Sequence, residues 1–442
     1  MIADLVFHHV NEEVGQESGV AEVHKRTRIA MMSHPIRRMF NSLALLLSSV
    51  GLFLSAWIVI PAPTRRLLPL GVGAPEVSPW LLVLNAIAFA IVLVVSSQAK
   101  RHRRWLYRLG LFATLLGLFW SALPLLQLPA TAQRMAAAMV EGLGADYKGT
   151  IPSEVQRLRS PNLPRKMRSQ PFVLTEVFTG IKLGEVRYIP NIQFAAPDNV
   201  PLSLDIYQPP KPGLYPALVV IYGGSWQNGD PTVNASFNRY MAERGYTVFA
   251  IDYRHAPRYQ FPAQLEDVQA ALTFIHQNAA KYEADAKRLA LLGRSAGGHL
   301  AMLAAYQPDA LPVRAVVSYY GPFNLTSGYK DPPYPDPLNV RAVLEAFLGG
   351  TPDELPEQYA KASPATYVTR PLPPTLLVHG SRDHIVEVRF ARNMYNRLGA
   401  TGTTRVLLEI PWAEHAFDAI FNGLSNQLAL YYTERFLDWA LK

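Results

Sequence analysis

Three apolar runs constrain this 442-residue chain before anything else in it. Ser42 to Ile60, Pro79 to Ser97 and Trp105 to Leu128 each approach or exceed the length that a helix needs to cross a bilayer core. They hold almost no charge apart from Arg108 near one end, and none has an amphipathic face. They therefore predict transmembrane helices at about 42–60, 79–97 and 105–128. Some 40 residues, including Glu12, Glu13 and Glu17, precede the first run, a position unlike that of a cleavable signal peptide.

The formal charge of +8 is unevenly placed: residues 1–185 hold 20 Lys and Arg against 11 Asp and Glu, whereas residues 186–442 hold 22 against 23. A nearly neutral C-terminal part argues against nucleic-acid binding, which needs a basic face on a folded domain. Lys25, Arg26, Arg28, Arg37 and Arg38 precede the first run, and Lys100, Arg101, Arg103, Arg104 and Arg108 stand around the second loop. Against these ten, only Arg65, Arg66, Arg134 and Lys148 flank the runs on the other side. The bias predicts a cytoplasmic N-terminal segment (1–40) and a C-terminal part on the non-cytoplasmic side. A second basic cluster, Arg157, Arg159, Arg165, Lys166 and Arg168, reads as a solvated linker or a stretch lying on anionic headgroups. The absence of cysteine excludes a disulfide framework, a thiolate metal site and a cysteine nucleophile.

Residues 129–185 carry a short helical piece, Ala132 to Gly142, then prolines among charges, and read as a linker. From about 186 the pattern becomes β-branched and aromatic runs alternating with helical stretches. Leu202 to Tyr207, Ala217 to Tyr222, Thr247 to Asp252, Leu289 to Leu292, Arg314 to Tyr319, Thr375 to His379 and Arg405 to Ile410 read as strands. Ala263 to Ala280, the stretch after Ser295, Arg389 to Leu398 and Leu428 to Leu441 read as helices. This alternation predicts an α/β domain over 186–442, with a mainly parallel sheet covered on both faces.

The chemistry is concentrated at strand ends. Gly293-Arg-Ser295-Ala-Gly297 joins an apolar strand to a helix rich in Ala and Leu, and small neighbours are needed for a serine on so sharp a turn. Such a turn lifts the hydroxyl above the sheet and aims the first helical N–H groups at whatever the serine attacks. Tyr222-Gly-Gly-Ser-Trp226 ends another strand, and the N–H groups of Gly224 and Ser225, with that of Ala296, are candidate oxyanion donors. A serine needs a base, and an imidazole needs a carboxylate. His415 and Asp383 each follow a late strand, where open parallel sheets bind ligands. His384 is the rival base, and Glu414 or Asp418 the rival acid; His255, His276 and His299 read as structural.

With these residues in view, the sequence resembles the α/β-hydrolase superfamily, within it the carboxylesterases of the hormone-sensitive-lipase-like and feruloyl-esterase-like groups. The matching pieces are IYGGSW at 221–226, DYRHAP at 252–257, FPAQLEDV at 261–268, GRSAGGHLA at 293–301, YGPFNL at 320–325, HGSRD at 379–383 and EHAF at 414–417. By resemblance Ser295, Asp383 and His415 form the triad, and the Gly-Gly segment with Ala296 the oxyanion hole. Two positions depart from the family pattern: Tyr222 stands where a histidine is usual before the glycines, and Ser225 replaces the common third glycine. Membrane-bound isoprenylcysteine methylesterases are similar in layout, and kynurenine formamidases share the motifs.

The expectation is a membrane-anchored serine hydrolase acting on a small-molecule or lipid ester, with the bilayer as partner and without metal or cofactor. The segment from Gly321 to Gly350 is expected to form a small lid, and Trp226 and Tyr222 to shape the substrate pocket. A transacylase or an amidase or formamidase would use the same residues. A silent binding protein would be expected to lack a triad member, and a transporter to have charged or broken spans.

Overall fold

A computed structural model describes residues 34–97, 104–148 and 167–442. Lys25, Arg26, Arg28, Lys100, Arg101, Arg103 and the linker cluster from Arg157 to Lys166 lie outside the described residues. The chain divides into two compact units, one running to Phe53 and resuming over Leu82–Phe119, the other made of Leu54–Leu81 and Trp120–Lys442.

Three helices, His34–Ala56, Ser78–Ser97 and Arg104–Leu143, are long and apolar enough to cross a membrane. Within the first unit, Asn85 packs where a side chain on Gly51 or Gly117 would collide with it, so small residues set the approach of the helices there. The third helix runs for 40 residues, about 60 Å, twice a hydrocarbon core. It continues through Pro124 and Pro129 into the stretch read from sequence as the start of a linker. The run of Ala and Met from Ala130 onward has high helix propensity, and its burial of Met135 and Met139 against the sheet carries the helix on.

In the second unit eight strands form one sheet in the order β1-β2-β4-β3-β5-β6-β7-β8. They are β1 Arg187–Ala195, β2 Leu202–Gln208, β3 Tyr215–Ile221, β4 Thr247–Ile251, β5 Ala284–Arg294, β6 Ala315–Tyr319, β7 Thr375–Gly380 and β8 Arg405–Ile410. β1 and β2 pair antiparallel, as do β2 and β4, and every other pairing is parallel. Successive strand residues face opposite layers. Val219, Leu289 and Leu291 pack with the helices Ala263–Asn278 and Ala296–Tyr306, while Val220, Ala290 and Leu292 pack with Ala235–Glu243 and Leu424–Ala440. Burial on both faces is why the central strands read as unbroken apolar runs.

The segment between the first two apolar helices belongs to this second unit. Its helix Leu68–Glu76 ends on a fully buried carboxyl, Glu76, against the start of the last helix: Ser425 donates its backbone N–H at 2.8 Å and its hydroxyl at 2.5 Å. Trp412 Nε1 in turn donates to that hydroxyl. Burial pushes Glu76 up from 4.5 to about 8, against the lowering effect of the two Ser425 bonds. Arg382 also donates to the carbonyl of Val59.

Two outcomes follow from this packing. A Cβ on Gly297 would stand 2.1 Å from the carbonyl oxygen of Ile221, so Gly297→Ala should cost about 1–3 kcal/mol and lower the thermal midpoint by several degrees; an unchanged melt would contradict the close approach. Because the folded state holds the Glu76 proton more tightly than the unfolded one, its contribution is full below about pH 4.5 and lost as pH rises through about 8. Glu76→Gln should flatten the fall of thermal stability across that window, and an unaltered pH slope would show that the carboxyl is not buried as described.

Candidate active site

Ser295 stands between the end of β5 and its following helix at φ 52°, ψ −121°, in a left-handed backbone region that costs a non-glycine residue free energy. Its N–H is held by the carbonyl of Tyr319 at 2.9 Å, so the turn is tied to the neighbouring strand. A Cβ on Gly293 would lie 2.0 Å from the carbonyl oxygen of Gly297, which is why both glycines of the motif are required.

The loops after β7 and β8 bring two side chains to this hydroxyl. His415 Nε2 lies 2.9 Å from Ser295 Oγ, and His415 Nδ1 lies 2.8 Å from Asp383 Oδ2. An ionised carboxylate only accepts, so Nδ1 carries the proton and Nε2 is left as a bare acceptor for the serine hydroxyl. Asp383 Oδ1 accepts the backbone N–H groups of Ile385 at 2.9 Å and Val386 at 2.8 Å. Burial alone would raise the Asp383 pKa, but electrostatic attraction to His415 and hydrogen bonds from His379 and His415 outweigh it and hold the group below the ordinary carboxylate range.

The rivals are occupied elsewhere. His384 Nδ1 and its backbone N–H both engage Glu414, each at 2.6 Å, and that bond raises the His384 pKa. Asp418 accepts from Arg294 and from the Tyr320 hydroxyl. His299 is fully buried, accepting from Trp226 Nε1 at Nδ1 and donating from Nε2 to the carbonyl of Ala362; burial depresses it to about 4, so it is a neutral structural ring.

Gly223 to Gln227 turn sharply past Ser295, with Ser225 and Trp226 both in the left-handed region, at φ 56° and 59°. Among the described residues, no backbone carbonyl takes the N–H of Gly224, Ser225 or Ala296. Ser225, Trp226, Ser295 and Ala296 border a cavity of about 60 Å³ whose far walls are apolar. Phe323, Leu325, Val340 and Leu344 of the expected lid segment form much of that wall, with Phe390 from the helix Val388–Ala400. This segment is built on the helices Leu325–Lys330 and Val340–Leu348 rather than on an open loop. Tyr222 corrects its expected place: its ring stacks on Tyr253 and its hydroxyl bonds Asp252 and His255, so it supports the turn from behind instead of lining the cavity.

Two features were missed from sequence. His379 Nε2 donates to the carbonyl of Val386 and lies 3.3 Å from Asp383 Oδ2, a spacing of four residues that could have flagged it as a supporting donor. The Arg294–Asp418 pair, buried beside the Ser295 turn, joins residues 124 apart and leaves no local signal. Among the described residues no cluster of three or more His, Asp or Glu is placed to hold a metal.

Residues 204–398 match the BD-FAE family. The chain is 34% identical over 255 residues to Esterase LipC of Mycobacterium tuberculosis, covering 53% of this chain and 61% of that protein. It is 27% identical over 224 residues to an isoprenylcysteine alpha-carbonyl methylesterase of Arabidopsis thaliana, covering 46% and 51%. A thermophilic esterase structure from Thermogutta terrifontis is 26% identical with a TM-score of 0.47, covering 57% of this chain and 91% of that one. The chain spans less than two thirds of the length of these two curated relatives, and with the BD-FAE match over 204–398 it is similar to carboxylesterases of the α/β-hydrolase superfamily, of hormone-sensitive-lipase-like and feruloyl-esterase-like type.

Proposed function

We propose that this chain is a membrane-anchored serine hydrolase of carboxylic esters, with its catalytic domain over about 186–442. The observation that carries the reading is the hydrogen-bonded file from Asp383 through His415 to the hydroxyl of a serine on a strained strand-to-helix turn. The esterase and methylesterase names of the relatives support it.

Ser295 Oγ attacks the ester carbonyl carbon as His415 Nε2 takes its proton, and Asp383 stabilises the imidazolium that forms. The N–H groups of Gly224, Ser225 and Ala296 hold the negative oxygen of the tetrahedral intermediate. As the C–O bond breaks, His415 returns the proton to the leaving alcohol, and Ser295 is left acylated. Water, deprotonated by His415, then attacks the acyl-enzyme and frees the acid and the serine hydroxyl. The three apolar helices anchor the domain, and the excess of basic residues before the first and around the second loop argues for a catalytic domain on the non-cytoplasmic side.

On p-nitrophenyl butyrate, Ser295→Ala and Asp383→Asn should each lower kcat/KM by about a thousandfold or more, while His384→Ala should keep most of the rate. Undiminished turnover in Ser295→Ala ends the proposal. Filling the cavity with Leu344→Trp should shift preference from butyrate towards acetate esters by about tenfold, and an unmoved ratio would place the acyl chain elsewhere.

A further inference from the structure

The two spaces that meet at Ser295 differ in what they can hold. The small apolar cavity reaches Ser295 from the side of Ser225 and Ala296 and does not include His415. The second space, about 430 Å³, is lined by Ser295, His415 and Gly224, with Leu68, Val233 and Phe421 on its apolar side. In ester cleavage the leaving oxygen must receive its proton from the imidazole, so the alcohol lies on the side that contains His415. The acyl group is left with the cavity of about 60 Å³, which suits a short chain.

The wide side adjoins the segment that leads into the second apolar helix. Leu68 opens the helix that leads to Glu76, and the apolar helix Ser78–Ser97 follows at once, so Leu68 stands within about 15 Å of its start at 1.5 Å per helical residue. Trp80, in the first turn of that apolar helix, donates Nε1 to the carbonyl of Val177 at 3.2 Å and packs edge-on to Phe178 at 4.7 Å. The short helix Leu174–Thr179 is thereby packed against a tryptophan, a residue type favoured at bilayer interfaces. Leu174 and Phe178 on it are 48% and 37% exposed. Asn422, next to Phe421 of the wide space, donates to the carbonyl of Val177 at 2.8 Å, which joins the patch to the rim. Arg65 and Arg66, shortly before Leu68, are exposed and have no carboxylate partner among the described residues.

From this we infer that the substrate is a short-chain acyl ester of a bilayer-resident alcohol, and that Trp80, Leu174 and Phe178 rest on the lipid surface from which it enters. The inference deepens the ester-hydrolase reading and rests on it. Two isomeric esters separate the sides: hexadecyl butyrate carries its long chain on the alcohol, and butyl palmitate carries it on the acid.

With the full chain in phosphatidylcholine vesicles, hexadecyl butyrate should be cleaved about tenfold faster or more than butyl palmitate in the same bilayer. Equal rates, or the reverse order, would overturn the assignment of the two spaces. The double variant Leu174→Ser, Phe178→Ser should lose about fivefold or more on hexadecyl butyrate while keeping its rate on water-dissolved p-nitrophenyl butyrate. Equal losses on both, or no loss on the lipid ester, would overturn the docking patch. As the chain has no cysteine, a nitroxide on Leu174→Cys reads depth directly; it should be shielded from a water-soluble relaxation agent, and full accessibility would count against the patch. Loss of Ser295 dependence on p-nitrophenyl butyrate would instead indict the hydrolase reading itself.

Discussion

The backbone at Ser295 is the constraint on which the rest of the site depends. A left-handed residue between a buried strand and a buried helix can exist only where nothing larger than hydrogen occupies Gly293 and Gly297, and where the Ser295 N–H finds the Tyr319 carbonyl. That bond in turn needs the parallel register of β5 with β6, in which Arg294 lies beside Tyr319. The stiffness of the central sheet is thus what holds one hydroxyl at the height where the loops after β7 and β8 can reach it. The strain stored there is offset by a core that runs through both layers.

Three buried acid–base groups in the second unit meet the same loss of water and come out differently. Asp383 collects two backbone N–H groups and two imidazoles, and stays ionised. His299, with one donor and one acceptor and no charge nearby, is kept neutral. Glu76 has only the Ser425 donors and the distant negative charge of Asp418, so burial prevails and raises it. The number and sign of the partners, and not burial itself, separates them.

The segment between the first two apolar helices changes what the N-terminal part contributes. Glu76 is sealed against Ser425, and Leu68 lines the wide approach to Ser295, so residues far upstream of the matched domain complete its mouth. Both contacts lie within one compact unit, so this segment is packed as part of the same fold as the sheet.

The sequence by itself determined the apolar helices, the strand and helix alternation, and the candidate residues Ser295, Asp383 and His415. Each of these is a local pattern: a length of apolar residues, a period, or a polar residue just past a strand end. What only the tertiary structure decided were the pairings between distant residues. His384 and Glu414 stood as rival base and rival acid in the sequence, and only the fold shows them bonded to each other, while Tyr222, expected at the pocket, has its hydroxyl on Asp252. The third apolar helix outran its expected end because burial of Met135 and Met139 against the sheet, not propensity alone, extends it. Composition and period report which residues avoid water, whereas the partner of a buried polar group depends on register between elements far apart in the chain, and that is set only when the sheet closes.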